Sequence, residues 1–367
     1  MLHIHTIVPE HTKLLIDLVS INSINPDLVP GSPGEAVIAR FVAAWLERAG
    51  LSVEIDEAAP GRLSVVAVAR GTGGGRSLML NAHLDTVGVV GMTDAHTPRV
   101  EGNRLYGRGA FDMKGSLASI MLAGARAASL GLRGDVIVTA VADEEFASIG
   151  TASVLKRWTA DAAIVTEPTG LDVCVAHKGF AWFDVEMRGV AAHGSKPDLG
   201  VDAIAKMGPV IVAIEALDRR LRAKPLHTLL GSGSIHCSLI SGGQELSSYP
   251  ERCFLQVERR TVPGETREEV ERQIAEIAPA TLTLWRDPFE VNEDAEIVQI
   301  LKTQLGAPRI YGDTPWMDSA LTSAAGIPTV VFGPGGAGAH AVVEYSNLDE
   351  VERAAAILTD VAARFCA

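Results

Sequence analysis

Cysteine is scarce. The 367 residues hold four, Cys174, Cys237, Cys253 and Cys366, and no two of them form a Cys-x-x-Cys pair. That spacing excludes a zinc knuckle and a disulfide framework, and it leads us to expect reduced thiols in a cytoplasmic protein. Long apolar runs are missing as well: no segment approaches the roughly 20 residues that cross a bilayer, so no membrane partner is expected. The opening stretch "MLHIHTIVPEHTK" lacks a basic flank followed by an apolar core, so no signal peptide is expected there. Basic charge is the third deficit. Lys and Arg total 32 against 45 Asp and Glu, a net charge of −13. Such a surface repels nucleic acid and anionic lipid and leaves small molecules as the expected partners. Internal repeats and low-complexity tracts are absent. The glycine-rich "GPGGAG" is not followed by Gly-Lys-Ser/Thr, which argues against a phosphate loop.

What is present is a hydrophobic content of 47% over a length that can fill two cores. Apolar spacing predicts helices over 10–23 and 33–50, then strands over 52–56, 64–69 and 77–81. A long apolar helix is expected over 112–131. "DVIVTAVAD" (135–143) and "AAIVTE" (162–167) are short apolar runs of the kind that a two-sided parallel sheet buries. The alternation of strands and helices argues for an α/β catalytic domain with a mostly parallel central sheet flanked by helices. Near Lys178 the pattern changes. "FAWFDVEMRGV" alternates like a half-exposed strand, and strand–helix–strand–strand–helix–strand follows to about residue 287. That order predicts an inserted α+β, ferredoxin-like domain over 179–287, with 1–178 and 288–367 forming the larger domain.

The strand ends of the larger domain carry the chemistry. "LMLNAHLDTV" presents His83 and Asp85, "GRGAFDMKG" presents Asp112, "VADEEF" presents Glu144 and Glu145, "AAIVTEP" presents Glu167, and "GPGGAGAHA" presents His340. In open α/β sheets, sites form outside the carboxyl ends of strands. Gathered there, these carboxylates would repel one another unless cations sit among them. Two divalent ions, Zn2+ above all and Co2+ or Mn2+ as alternatives, suit imidazole and carboxylate ligands. The arrangement expected is a shared Asp112, with His83 and Glu167 on one ion and Glu145 and His340 on the other. Asp85 is expected to accept the free ring N–H of His83. Of the adjacent pair Glu144 and Glu145, one can bind metal while the other acts as a general base, and the residues alone leave open which does which.

The motifs "NAHLDTV", "YGRGAFDMKGSLAS", "ADEEFASIGT", "TEP", "AAHGSKPDLGVDAI" and "GPGGAGAHAVVEYSNLDEV" resemble, in order and over nearly the whole chain, those of one di-zinc family. It is the family of acetylornithine deacetylase, succinyl-diaminopimelate desuccinylase, aminoacylase and carboxypeptidase G. The resemblance implies a Zn-exopeptidase-like catalytic domain interrupted by a lid domain that makes a homodimer. It implies that Glu144 is the base and Glu145 the ligand, and that the Asp112–Met113 peptide is cis. It implies that His193 polarises the scissile carbonyl and that Arg260 pairs with a substrate carboxylate. Gly335 would let the backbone approach the substrate. The family's usual Asn is Ser247 here, in "SSYP", and Glu258 stands two residues before Arg260; both are departures from the pattern. The function implied is hydrolysis of the amide bond of an N-acyl amino acid or, alternatively, of a short peptide by a carboxypeptidase or dipeptidase. His3, His5 and His11 fit a solvated terminus, and His96, His177, His227 and His236 are expected to be structural.

Overall fold

Strand Arg62–Ala69 is buried along its whole length, as are Leu78–His83, Val136–Val141 and Ala162–Val165. Strands of this kind need cover on both faces. In the computed structural model, which describes residues 8–367, they form the centre of a mixed sheet. His3 and His5 lie outside the described residues. The strand order is Ser52–Ala59, Arg62–Ala69, Val136–Val141, Leu78–His83, Ala162–Val165, Thr329–Val331, Val173–His177. Val136–Val141, Leu78–His83, Ala162–Val165 and Thr329–Val331 run parallel to one another, and the outer pairings are antiparallel. Side chains alternate between faces with period two. Val65, Ala67, Leu80, Val138 and Ala140 accordingly join the helices Glu10–Ser20, Ala36–Arg48, Gly115–Ala127 and Leu348–Phe365 in one core. Val66, Val68, Ile137 and Val141 pack with Val154 on the other face. Because the central strands are parallel, their carboxyl ends share one edge, where His83, Glu144, Glu145 and Glu167 follow.

The chain divides into two units. One comprises the described residues up to Val175 with Val291–Tyr311 and Met317–Ala367; the other is Ala176–Glu290 with Gly312–Trp316. The second unit contains an antiparallel sheet in the order Ser234–Gly242, Arg252–Thr261, Gly179–Arg188, Ala280–Arg286. Helices Ala203–Arg222 and Arg267–Ala275 pack against its apolar side through Met207, Ile214, Val270 and Ile274, onto Phe183, Val185, Leu255 and Val257. Both helices begin at side-chain caps. Asp202 accepts from the Ala205 N–H, and Thr266 with Glu269 makes a reciprocal capping box.

One expectation needs correction. The helix expected from Asp112 begins at Gly115, and Ala110–Lys114 forms an irregular turn in which Asp112 and Met113 have non-helical dihedrals. The Asp112–Met113 peptide is cis. That turn is held by a carboxylate from elsewhere in the chain, described below, which local sequence does not reveal. A small antiparallel sheet also goes unpredicted: Arg99–Glu101, Arg104–Tyr106, Tyr345–Asn347 and Gly336–Ala337. Its strands have at most three residues, too few for any period to show.

Candidate metal centre

His83 closes its strand with its ring buried. Its Nδ1 lies 3.0 Å from the backbone carbonyl oxygen of Asp85. A carbonyl can only accept, so Nδ1 carries a proton and Nε2 is the nitrogen turned toward the cluster, where it can serve as a ligand once deprotonated. The Asp85 carboxylate was expected to be that acceptor, but its nearer oxygen is 3.6 Å from Nδ1. The carboxylate instead accepts the backbone N–H groups of Glu144 at 3.1 Å and Glu145 at 3.2 Å.

Asp112 stands between two imidazoles. Its Oδ1 is 3.1 Å from His83 Nε2, and its Oδ2 is 3.4 Å from His340 Nε2. His340 Nε2 is also 3.0 Å from Glu145 Oε2. The ligand atoms of His83, Asp112 and Glu145 lie within 4.8 Å of one another, and so do those of His83, Glu144 and Glu167. The two groups overlap at His83. Glu144 is thus on the Glu167 side and Glu145 on the His340 side.

Electrostatics mark this cluster as short of positive charge. Burial, then the negative charges nearby, push Glu167 up to about 8 and Glu145 up to about 7. Burial followed by Glu167 also raises Glu144 well above the usual carboxylate range. His83 is pulled down by burial, yet its hydrogen bond to the Asp112 carboxylate and the charges of Glu167 and Asp85 outweigh it and raise it well above its ordinary value. His340 is raised to about 10, chiefly by Asp112 and Glu145. A cation placed among these groups would relieve their mutual repulsion. Glu145 Oε1 is buried with no hydrogen-bond partner in a set of nitrogen and oxygen donors. An orphan lone pair in that setting fits a metal ligand.

The sequence matches the profile of peptidase family M20/M25/M40 over residues 79–364. The chain belongs to that family. It is 32% identical over 353 residues to an acetylornithine deacetylase from Myxococcus xanthus, covering 89% of this chain and 91% of that protein. The fold is similar to that of an M20 metallo-carboxypeptidase from Sulfolobus solfataricus, with a TM-score of 0.78 and 18% identity over 96% of this chain and 98% of the other. It is also similar to a dinuclear metal-binding M20 peptidase from Bacillus subtilis, with a TM-score of 0.70 and 17% identity over 97% of both chains. This M20-family chain is a hydrolase of amide bonds, and its carboxylate–imidazole cluster is a site able to hold metal.

The other residues singled out by sequence lie elsewhere. His193 is exposed in the second unit, and its segment bridges to Ser248, with the Gly194 N–H donating 2.7 Å to the Ser247 carbonyl. His193 and Ser247 are therefore neighbours. His193 Nδ1 accepts the Ser195 backbone N–H at 3.2 Å, which places the ring proton on Nε2. Arg260 pairs with Glu258, Nε to Oε1 2.6 Å, and its guanidinium lies 5.1 Å from the centre of the Phe180 ring. Gly335 is buried, and a Cβ there would come within 2.4 Å of Glu350 Oε2 and 3.0 Å of Gly170 Cα, so a larger residue would have to displace the Glu350 side chain. His227 is bonded to Glu290 at 3.0 Å, in keeping with a structural role.

Several supporting residues escaped sequence reasoning. Glu344 accepts the N–H groups of Gly109, Phe111 and Asp112 at 2.9–3.0 Å and the Arg108 guanidinium at 2.6 Å, which holds the turn that presents Asp112. Its signal was the position four residues after His340. Asp318 is a further buried acid, pushed up to about 6 by burial; it accepts the Thr151 hydroxyl at 2.5 Å. Nothing in "PWMDSAL" marks it beyond a polar residue at a helix start.

Proposed function

We propose that this protein hydrolyses the amide bond of N-acyl amino acids, acetylornithine-like compounds foremost, at a site for two divalent ions, with Zn2+ as the resident metal and Co2+ or Mn2+ able to replace it. The observation that carries the reading is Asp112, whose two carboxylate oxygens address two different imidazoles. His83 and Glu167 would hold one ion, Glu145 and His340 the other, and Asp112 both. Bound there, the ions supply Lewis acidity toward the scissile carbonyl and acidify a water molecule. Glu144 takes the proton of the attacking water and delivers it to the leaving nitrogen. His193, with its ring proton on Nε2, donates to the oxyanion. Arg260 offers a planar fork to the substrate carboxylate once it is released from Glu258.

The similarity to an acetylornithine deacetylase over 89% of this chain supports the acyl-amino-acid substrate. The second unit serves in this reading as lid and homodimer surface, which its outer strand Ser234–Gly242 with exposed Leu239 and Ile240 supports. A cytoplasmic location agrees with four free cysteines. No helix among the described residues is long and apolar enough to cross a membrane. The deciding experiment is a substrate panel scored by kcat/KM, with N-acetyl, N-succinyl and N-formyl amino acids against dipeptides. The acyl compounds should lead. Consistent preference for dipeptides would replace deacylation with peptidase activity at the same site.

A further inference from the structure

Five buried polar side chains form one connected network next to the turn that carries Glu144 and Glu145: Arg62, Glu35, Asn25, Asp143 and Asp85. Arg62 donates to Glu35 through Nε at 2.9 Å and Nη2 at 2.8 Å, to Asp143 through Nη2 at 2.6 Å, and to Asn25 Oδ1 at 3.2 Å. It also pairs with Asp27. Asn25 Nδ2 in turn donates to Asp85 Oδ2 at 2.8 Å and to Asp143 Oδ1 at 2.9 Å. Asp85 receives the backbone N–H groups of Glu144 and Glu145. A single side chain, Asn25, therefore links the guanidinium to the carboxylate that fixes both glutamates.

Asp143 makes the geometry demanding. Its φ is +70°, in the left-handed region that non-glycine residues rarely occupy. The chain doubles back there, with the Ser148 and Ala147 N–H groups donating to the Asp143 carbonyl. Two buried carboxylates, Asp85 and Asp143, meet at the same amide nitrogen and repel each other. Arg62 is the one arginine or lysine hydrogen-bonded into this network among the described residues, and it bonds Asp143 directly. A lysine would deliver a charge but not a rigid fork reaching Glu35, Asp143 and Asn25 together.

We propose that Arg62 is a positioning residue: with Asn25 it locks the Asp85 and Asp143 carboxylates and, through them, the backbone of Glu144 and Glu145. This rests on the assignment of Glu144 as base and Glu145 as ligand. Removing the fork loosens the turn that presents both glutamates, and the loss falls on metal retention and turnover rather than on substrate affinity.

The test uses Arg62→Lys, Asn25→Ala and their combination in the full chain. Zinc affinity is measured by competition with a chromogenic chelator, kcat and KM are measured separately, and the melting temperature is taken without metal. Each single variant should bind zinc about 10–100-fold more weakly. Each should lose kcat by a comparable factor with KM within about twofold. The double variant should lose less than the two single losses combined, because both substitutions act on the same network around Asp143. The proposal is overturned if zinc affinity and kcat stay within about twofold of wild type while only the melting temperature falls. It is equally overturned if the loss appears in KM alone. Should Arg62→Lys not fold, Asn25→Ala decides by the same readouts, since it keeps the Arg62 charge and removes the bonds from Asn25 to Asp85 and Asp143. Glu144→Gln in the otherwise unchanged protein separates the two readings: retained turnover there refutes the base assignment, whereas the zinc-affinity readout on Arg62 stands without it.

Discussion

At the scale of single residues, Glu144 has the sharpest expected phenotype. Glu144→Gln keeps shape and removes the base, so kcat should fall about 10²–10⁴-fold. Metal content, measured by elemental analysis, should match wild type; a variant that keeps most of its rate contradicts the assignment. The thiols make a second case. Burial pushes Cys366 up to about 12, and Cys174 and Cys253 are buried, while Cys237 is partly open. A thiol reagent applied to the native protein at neutral pH should modify Cys237 first and reach the other three only after unfolding. The metal-ligating candidates were legible because His83, Glu145 and Glu167 stand where apolar runs stop, Asp112 at a helix entrance and His340 after a glycine-rich turn. Arg62 and Asn25 were not. A charged residue at the start of a strand reads as a solvated end, and nothing in the sequence says that Glu35, Asp143 and Asp85 converge on it. Asp85 was legible in place but not in action: its main-chain oxygen orients His83, and its carboxylate holds the next strand's turn.

The elements themselves were set largely by hydrophobic period. The central strands, the helices on them and the second unit's alternating strands follow it. What failed were elements shorter than one period and boundaries fixed by distant partners, such as the start of Gly115–Ala127, where Glu344 takes the preceding N–H groups. That same helix supplies a test of packing. A Cβ on Gly124 would come within 2.6 Å of Val138 Cγ2 on a central strand. Gly124→Ala should therefore destabilise the fold by about 1–3 kcal/mol through overpacking, despite alanine's better helix propensity. Chemical denaturation measures it, and a stabilised variant would mean that helix and strand separate freely. Helix Arg267–Ala275 tests capping: Thr266→Ala should cost about 0.5–2 kcal/mol, since it removes the acceptor for the Glu269 N–H.

For the whole molecule, the metal site couples binding to stability. Without metal, Glu145 and Glu167 hold protons at pH values where an unfolded glutamate, with its ordinary value of 4.5, has released them. The folded state then binds more protons than the unfolded one, so stability falls as pH rises from about 5 to about 8. His340, raised to about 10 from 6.5, has the same sign: its contribution is complete below 6.5 and fades as pH climbs toward 10. The chelated protein should melt at progressively lower temperature across pH 5–8, and added Zn2+ should raise the melting temperature and flatten that slope. Scanning calorimetry at four pH values checks it; a melting temperature indifferent to both chelator and pH would leave the cluster without its cation. The outer strand Ser234–Gly242 brings a practical consequence. Nine residues of main chain run along a sheet border with Leu239 and Ile240 turned to water, interrupted only by the register shift between Cys237 and Leu239. Unsheathed ribbons of this sort recruit one another into insoluble stacks, so the protein should self-associate along this border at high concentration, and lysines introduced at Leu239 or Ile240 should keep it in solution.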